Sequence, residues 1–313
     1  MTQAPEPSPD TVRRLVRSLL AADDVAAGPG PDVRPVAEEG GHFTWWVGRH
    51  HVLRLTGDRA ASLRQRRELR LRDLIRPHIA VAVPVSVARG EWANGLNFTL
   101  DTLVPGASGE RRDVSALGEA DLAGLLTGLR EVPARQAETL GVPRVPPRSL
   151  EDLRVAALRA AERLPTEEFD PARFDQLAAP AAGQLGGQTG AGVLVHHGLS
   201  GDHLVVSPDG RVRGVLGWTD AVLGDPAEDI AGLAAAVGAP AAVRAATLAG
   251  YGARPCLRGL WLSRCDTVVR LAGSPRGGDG GPVPLLEAGL RRAWEPILLE
   301  RVTDLRDGSD EAP

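Results

Sequence analysis

The sequence predicts an α+β fold in two lobes, a small antiparallel sheet lobe over residues 1–104 and a larger, mainly helical lobe over 105–313. Three observations predict it. Between Val33 and Leu55, short runs rich in Val, Trp, His and Thr are broken by Gly40-Gly41 and Gly48-Arg49-His50, the pattern of antiparallel strands joined by tight turns. Past the Pro105-Gly106 breaker, apolar residues recur mostly at helical spacing. Within that helical half lies a β-rich insert, Val193 to His196, His203 to Val206 and Val212 to Leu216, with Ser207-Pro208-Asp209-Gly210 as a hairpin turn.

Taken in order, Asp10 is positioned to cap a helix over Thr11 to Ala22, where Val12, Leu15, Val16, Leu19 and Leu20 recur at helical spacing, and this helix is expected to pack outside the sheet lobe. Asp58 opens a strongly periodic helix, Arg59 to Ile75, with Leu63, Leu69, Leu71 and Leu74 among many arginines. Extended runs follow at Val81 to Val87 and Leu96 to Val104. Helices are then predicted over Val114 to Arg130, Leu150 to Leu164 and Pro171 to Ala179, before a small-residue linker from Pro180 to Ala191. After the β-rich insert they resume at Pro226 to Val237, Pro240 to Tyr251, Pro255 to Leu271 and Val283 to Val302, with a glycine-rich loop at Gly273 to Gly281 and a frayed tail after Asp304.

With 313 residues, 43% of them hydrophobic, the chain is long enough for two substantial cores. A net charge of -4, spread without blocks, offers no stripe for nucleic acid and no arm for a membrane surface. No apolar run approaches the ~20 residues of a bilayer span and the N-terminus lacks a signal peptide's regions, so a cytoplasmic location is expected. All 36 basic residues are arginine, which with the Ala, Gly and Pro bias suggests a GC-rich genome and means that any phosphate-holding cation must be arginine. The two cysteines, Cys256 and Cys265, stand nine residues apart on one predicted helix, too far along its axis to pair, and read as buried thiols.

The run from Val193 to Leu233 contains His196-His197-Gly198-Leu199, then His203-Leu204-Val205-Val206, then Gly214-Val215-Leu216-Gly217-Trp218-Thr219-Asp220-Ala221, then Gly224-Asp225-Pro226 and Asp229. Order and spacing resemble the aminoglycoside and macrolide phosphotransferases, whose string is H-G-D-L-x-x-x-N/H, an apolar-D-W strand end, and G-D-P before a helix. Trp218-Thr219-Asp220-Ala221 and a histidine at the N/H position lean towards the macrolide branch. The resemblance covers most of the chain and implies a protein-kinase-like fold.

Carried across residue by residue, it implies that His196 is the leading histidine of the catalytic segment and His203 the metal-coordinating position. Gly198 then falls on the catalytic base and Gly217 on the magnesium-holding aspartate. Glycine can neither orient and deprotonate an attacking hydroxyl nor supply the anionic oxygen a hard cation wants. Asp202 and Asp220 are the candidate substitutes, as base and near a weak metal. On the sheet side the resemblance implies that Arg54 and Glu68 form the nucleotide-facing cation–carboxylate pair, although a strand arginine and a helix glutamate also fit a solvated surface pair. Glu39-Gly40-Gly41-His42-Phe43 is a weak phosphate loop. Asp225 reads as a helix cap, Asp229 as structural, and Trp218 and Trp261 as core aromatics. His196 and His197 alternate sides, one towards the core, and are not read as a metal site.

The expectation is a pseudoenzyme that holds ATP weakly, binds magnesium poorly, and takes a small molecule or peptide between its lobes or a partner enzyme on the helical lobe. The implied setting is an actinobacterial biosynthetic or resistance pathway. The alternatives are an active phosphotransferase using relocated carboxylates and a metal-independent nucleotide sensor.

Overall fold

A computed structural model describes residues 6–20, 32–36, 42–177, 179–187, 192–274 and 283–297. Its contacts divide into two compact units, Met1–Leu74 with Ala82–Pro105, and Ile75–Val81 with Gly106–Pro313. The weak phosphate loop at 39–41, the glycine-rich segment at 275–281 and everything after 297 lie outside the described residues.

In the first unit, helix α1 (Pro9–Leu20) precedes strands β1 (Val33–Pro35), β2 (His42–Val47) and β3 (His51–Thr56). Helix α2 (Arg59–Ile75) and the hairpin β4 (Ser86–Ala93) and β5 (Leu96–Thr102) follow. The five strands form one antiparallel sheet in the order β1-β2-β3-β5-β4. The strand expected at 81–87 runs later, because Asn94-Gly95, with Gly95 in the left-handed region at φ +72°, makes the tight turn that pairs β4 with β5. Ser8, rather than Asp10, caps α1, its hydroxyl accepting the Thr11 N–H at 3.2 Å.

Alternation along β3 and β5 gives this sheet two unlike faces. Leu53, Leu55, Phe98 and Leu100 pack with Val12 and Val16 of α1 in an apolar cluster. Of the intervening residues, Arg54, Thr56, Asn97 and Asp101 serve α2 with polar contacts, and Thr99 bonds Asp101. Asn97 donates its N–H to Thr56 Oγ1 at 2.8 Å and its amide Nδ2 to Ser62 O at 3.1 Å, pinning the first turns of α2. Hydrogen bonds and ion pairs thus tie an arginine-rich helix to its sheet.

The second unit holds β6 (Ala107–Ser108), α3 (Ala116–Glu131), α4 (Ala134–Thr139), α5 (Leu150–Ala161), α6 (Ala179–Gln184) and β7 (Val193–Val195). It continues with β8 (Leu204–Val206), β9 (Val212–Val215), β10 (Val222–Gly224), α7 (Ala227–Val237), α8 (Ala239–Leu248), α9 (Ala253–Gly273) and α10 (Val283–Ala293). Beside the hairpin predicted at 207–210, where Gly210 N–H bonds Ser207 O at 2.9 Å, there are two pairings that strands of two or three residues do not announce: β6 with β8, and β10 with β7. The helix expected at Pro171 to Ala179 is a 3₁₀ turn, Pro171–Gln176, and α6, starting at Ala179, runs into the supposed linker. Trp218 and Trp261 are buried as expected, and Trp261 and Trp294 pack edge-on with centroids 5.7 Å apart. No helix among the described residues is long and apolar enough to cross a membrane.

Close approach explains one glycine of α3. A carbon added at Gly128 would overlap His78 O and lie 2.8 Å from Ile79 Cγ2. Gly128→Ala, which in an exposed helix would gain up to about 1 kcal/mol, should therefore cost about 1–3 kcal/mol of stability, measured as a lower urea midpoint at unchanged slope.

Candidate functional site

Strand β7 delivers His196 into the interior, where its ring packs edge-on against Trp218 at 4.5 Å and its Nε2 donates to the Leu216 carbonyl at 2.7 Å. His197, past the end of β7, is exposed. Its backbone takes the left-handed conformation at φ 64°, unusual for a residue with a β-carbon. Buried Asp229 of α7 holds it there, accepting the His196 N–H at 2.8 Å and the His197 N–H at 2.9 Å, one on each oxygen. Burial pushes the Asp229 carboxyl up to about 7, against the pull of those two donors, and the charge of Glu228 adds to the rise.

Beyond this turn, His203 folds back on the loop: its Nδ1 meets the Gly198 carbonyl at 2.5 Å. A carbonyl only accepts, so Nδ1 carries the proton and a neutral His203 presents a bare Nε2. That Nε2 lies 3.8 Å from Asp202 Oδ2. The structure therefore brings Asp202 and His203 together. Asp220 is exposed in the 3₁₀ turn Trp218–Asp220, with no ion pair to it among the described residues.

The two glycines differ. At Gly198 an added carbon would stand 3.6 Å from His203 Nδ1 and 3.8 Å from His196 Nδ1, ordinary van der Waals contact. Gly217 is left-handed at φ +77°, and an added carbon would overlap His203 Nε2 and lie 2.5 Å from its Cδ2. The imidazole of His203 occupies the space that a side chain at 217 would need. Among the described residues, no group of three or more His, Cys, Asp or Glu is arranged to hold a metal.

In the sheet unit, Arg54 and Glu68 form a two-pronged pair, Nη1 to Oε1 at 2.9 Å and Nη2 to Oε2 at 3.0 Å. It is not a solvated pair: Glu68 is 1% exposed. Sequence reasoning missed its other members. Arg72, one turn along α2, also bonds Glu68 Oε1 and reaches Asp101 Oδ2 at 3.0 Å. The i,i+4 spacing of Glu68 and Arg72 was the available signal. Burial works against the Arg54 charge, but Glu68 and, beyond it, Asp101 outweigh that and hold its pKa above the ordinary value. Two guanidiniums facing two carboxylates leave the cluster electrically balanced.

Asp225 accepts the Ala227 N–H at 3.0 Å as a cap and pairs with buried Arg258 at 2.5 Å. Both thiols, Cys256 and Cys265, are free and buried.

A model of the phosphotransferase enzyme family matches residues 32–260. No curated protein matches the sequence. Among solved structures, the GDP complex of aminoglycoside 2'-phosphotransferase-IIIa is 18% identical with a TM-score of 0.62, covering 93% of this chain and 99% of that one. Macrolide 2'-phosphotransferase MphH from Brachybacterium faecium is 22% identical with a TM-score of 0.55, covering 91% and 99%. The streptomycin–ATP–APH(2")-IIa ternary complex is 13% identical with a TM-score of 0.55, covering 84% and 90%. The likeness shows the kinase-like fold expected from the sequence.

Substitution at the glycines should separate their roles. Gly217→Ala is expected to lose about 1–3 kcal/mol from backbone strain and the collision with His203, whereas Gly198→Ala should stay within about 0.5 kcal/mol of wild type, both read from urea denaturation. Asp229 sets a pH signature. Between its ordinary 3.8 and about 7 the unfolded chain ionises this carboxyl while the native state keeps the proton, so its contribution to stability falls as pH rises and is level above about 7. The melting-temperature advantage of wild type over Asp229→Asn should therefore shrink from pH 4 to pH 7; an advantage that widens contradicts this account.

Proposed function

The chain belongs to the phosphotransferase enzyme family, and from that premise we propose that it is a non-catalytic binding member. In this reading it holds a nucleotide weakly, or a small molecule or peptide, and serves a partner enzyme of a cytoplasmic biosynthetic or resistance pathway.

One observation carries the proposal: His203 fills the side-chain space of Gly217, the position that the resemblance read from the sequence would assign to a magnesium-holding aspartate. A hard divalent cation seeks several anionic oxygens, and here it would meet a ring nitrogen and an exposed carboxylate, Asp202. These residues do not fit magnesium in its usual bridging role. Gly198, which the same resemblance would assign to the catalytic base, has space but no carboxylate to orient an acceptor hydroxyl. Fold relatives solved with GDP and with ATP support a nucleotide as one ligand. The balanced Arg54–Glu68–Arg72–Asp101 cluster supports weak rather than tight binding, since its positive charge already faces carboxylates.

A second reading rests on Asp202 and His203. With Nδ1 donating to Gly198, His203 Nε2 is available to take a proton, and Asp202 is placed to stabilise the resulting imidazolium. That dyad is the machinery of an active phosphotransferase with relocated groups.

Purified protein incubated with ATP or GTP and magnesium, alone and with aminoglycoside and macrolide panels, tests the two. The binding reading expects no phosphate transfer and no nucleotide hydrolysis, with nucleotide binding unchanged when magnesium is left out. Turnover that falls about 10²–10⁴-fold in His203→Ala, the range for loss of a general base, and falls also in Asp202→Ala, overturns it in favour of the dyad.

A further inference from the structure

The second unit contains a cavity of about 670 Å³, within the size range of drug-sized ligand sites. Its walls are largely apolar, built from Val145, Pro147, Val193, Leu223, Tyr251 and Pro255. Val193 pairs with Gly224 at the start of β7, so the cavity lies at the end of that strand opposite His196, about 10 Å away at the usual rise per residue. It is a separate place from the loop just described.

Three arginines line the cavity, and their partners differ. Buried Arg258 is fully engaged, with Nε on Asp225 at 2.5 Å, Nη1 on Leu185 O at 3.0 Å and Nη2 on Arg148 O at 2.6 Å. Arg144 is paired with Glu138. Arg254 is exposed, bonds only the Gly186 carbonyl at 3.1 Å, and makes no ion pair among the described residues. One uncompensated positive charge therefore faces an apolar chamber. Arg254 also sits in the first turn of α9, whose N-cap Gly252 supplies no side-chain bond to the helix's leading N–H groups. Those groups favour negative charge at the same spot.

We propose that this cavity binds an apolar small molecule bearing a single negative charge, with its body against the proline and valine walls and its anionic group at Arg254 and the start of α9. A polycationic amino sugar meets the wrong sign of charge there. The site is independent of whether the chain transfers phosphate, so failure of one reading leaves the other standing.

Two fluorescent probes with the same apolar body test it: 8-anilinonaphthalene-1-sulfonate, which carries one anionic group, and neutral N-phenyl-1-naphthylamine. Titrated into folded full-length protein, the sulfonate should bind one saturable site about tenfold more tightly than the neutral probe. Arg254→Ala should bring the sulfonate down to the affinity of the neutral probe and leave the neutral probe unchanged. Val145→Trp, at a half-exposed position on the wall, should abolish binding of both at an unchanged melting temperature. Equal affinity of the two probes for wild type, or sulfonate binding untouched by either substitution, overturns the proposal. If Val145→Trp lowers the melting temperature, the Arg254→Ala comparison decides alone.

Discussion

The carboxylate of Asp229, holding the backbone N–H groups of His196 and His197 at once, is the constraint from which the rest of the loop geometry follows. It keeps a non-glycine residue left-handed, a conformation that costs of the order of 1 kcal/mol or more and persists only when its surroundings impose it. The chain consequently turns sharply off β7. Gly198 presents its carbonyl to His203, and His203 is drawn back over Gly217. Each step is local, yet together they decide which atoms are available at the loop: a ring nitrogen beside one exposed aspartate.

The sheet unit solves a different problem with similar means. Its strands alternate between an apolar face covered by α1 and a polar face covered by α2, and the polar face is where Arg54, Glu68, Arg72 and Asp101 satisfy one another. Removing any one charge would leave its neighbours buried and unmatched, which is far more costly than the pairing itself is favourable. The arrangement thus fixes the angle of α2 on the sheet firmly while offering little net charge to a ligand.

Much of this was legible in the sequence. Helix α2 runs over the residues that its leucine spacing indicated, because nothing competes with a long uninterrupted period. The partnership of Arg54 with Glu68 was also visible and the spacing of Glu68 and Arg72 carried a signal for Arg72, but the participation of Asp101 was hidden, since β5 joins the cluster only through strand pairing across 47 residues of chain. The short pairs β6–β8 and β7–β10 were hidden for the same reason: two or three residues carry no period, and tertiary contacts alone make them strands. At the loop, Gly198 and Gly217 were singled out in the sequence. That His203 would claim the volume beside Gly217 was not, because it depends on a left-handed turn at a histidine, which no local preference predicts.

The chain carries two cysteines, and both lie on α9, buried from solvent, with burial raising both thiols, Cys265 to about 12. Neither is nucleophilic while the helix stays packed. Alkylation can therefore proceed only through opening of the helical unit, and the sheet unit contains no sulfhydryl to add a background. The molecule has a built-in clock that times the unfolding of one half while remaining silent about the other.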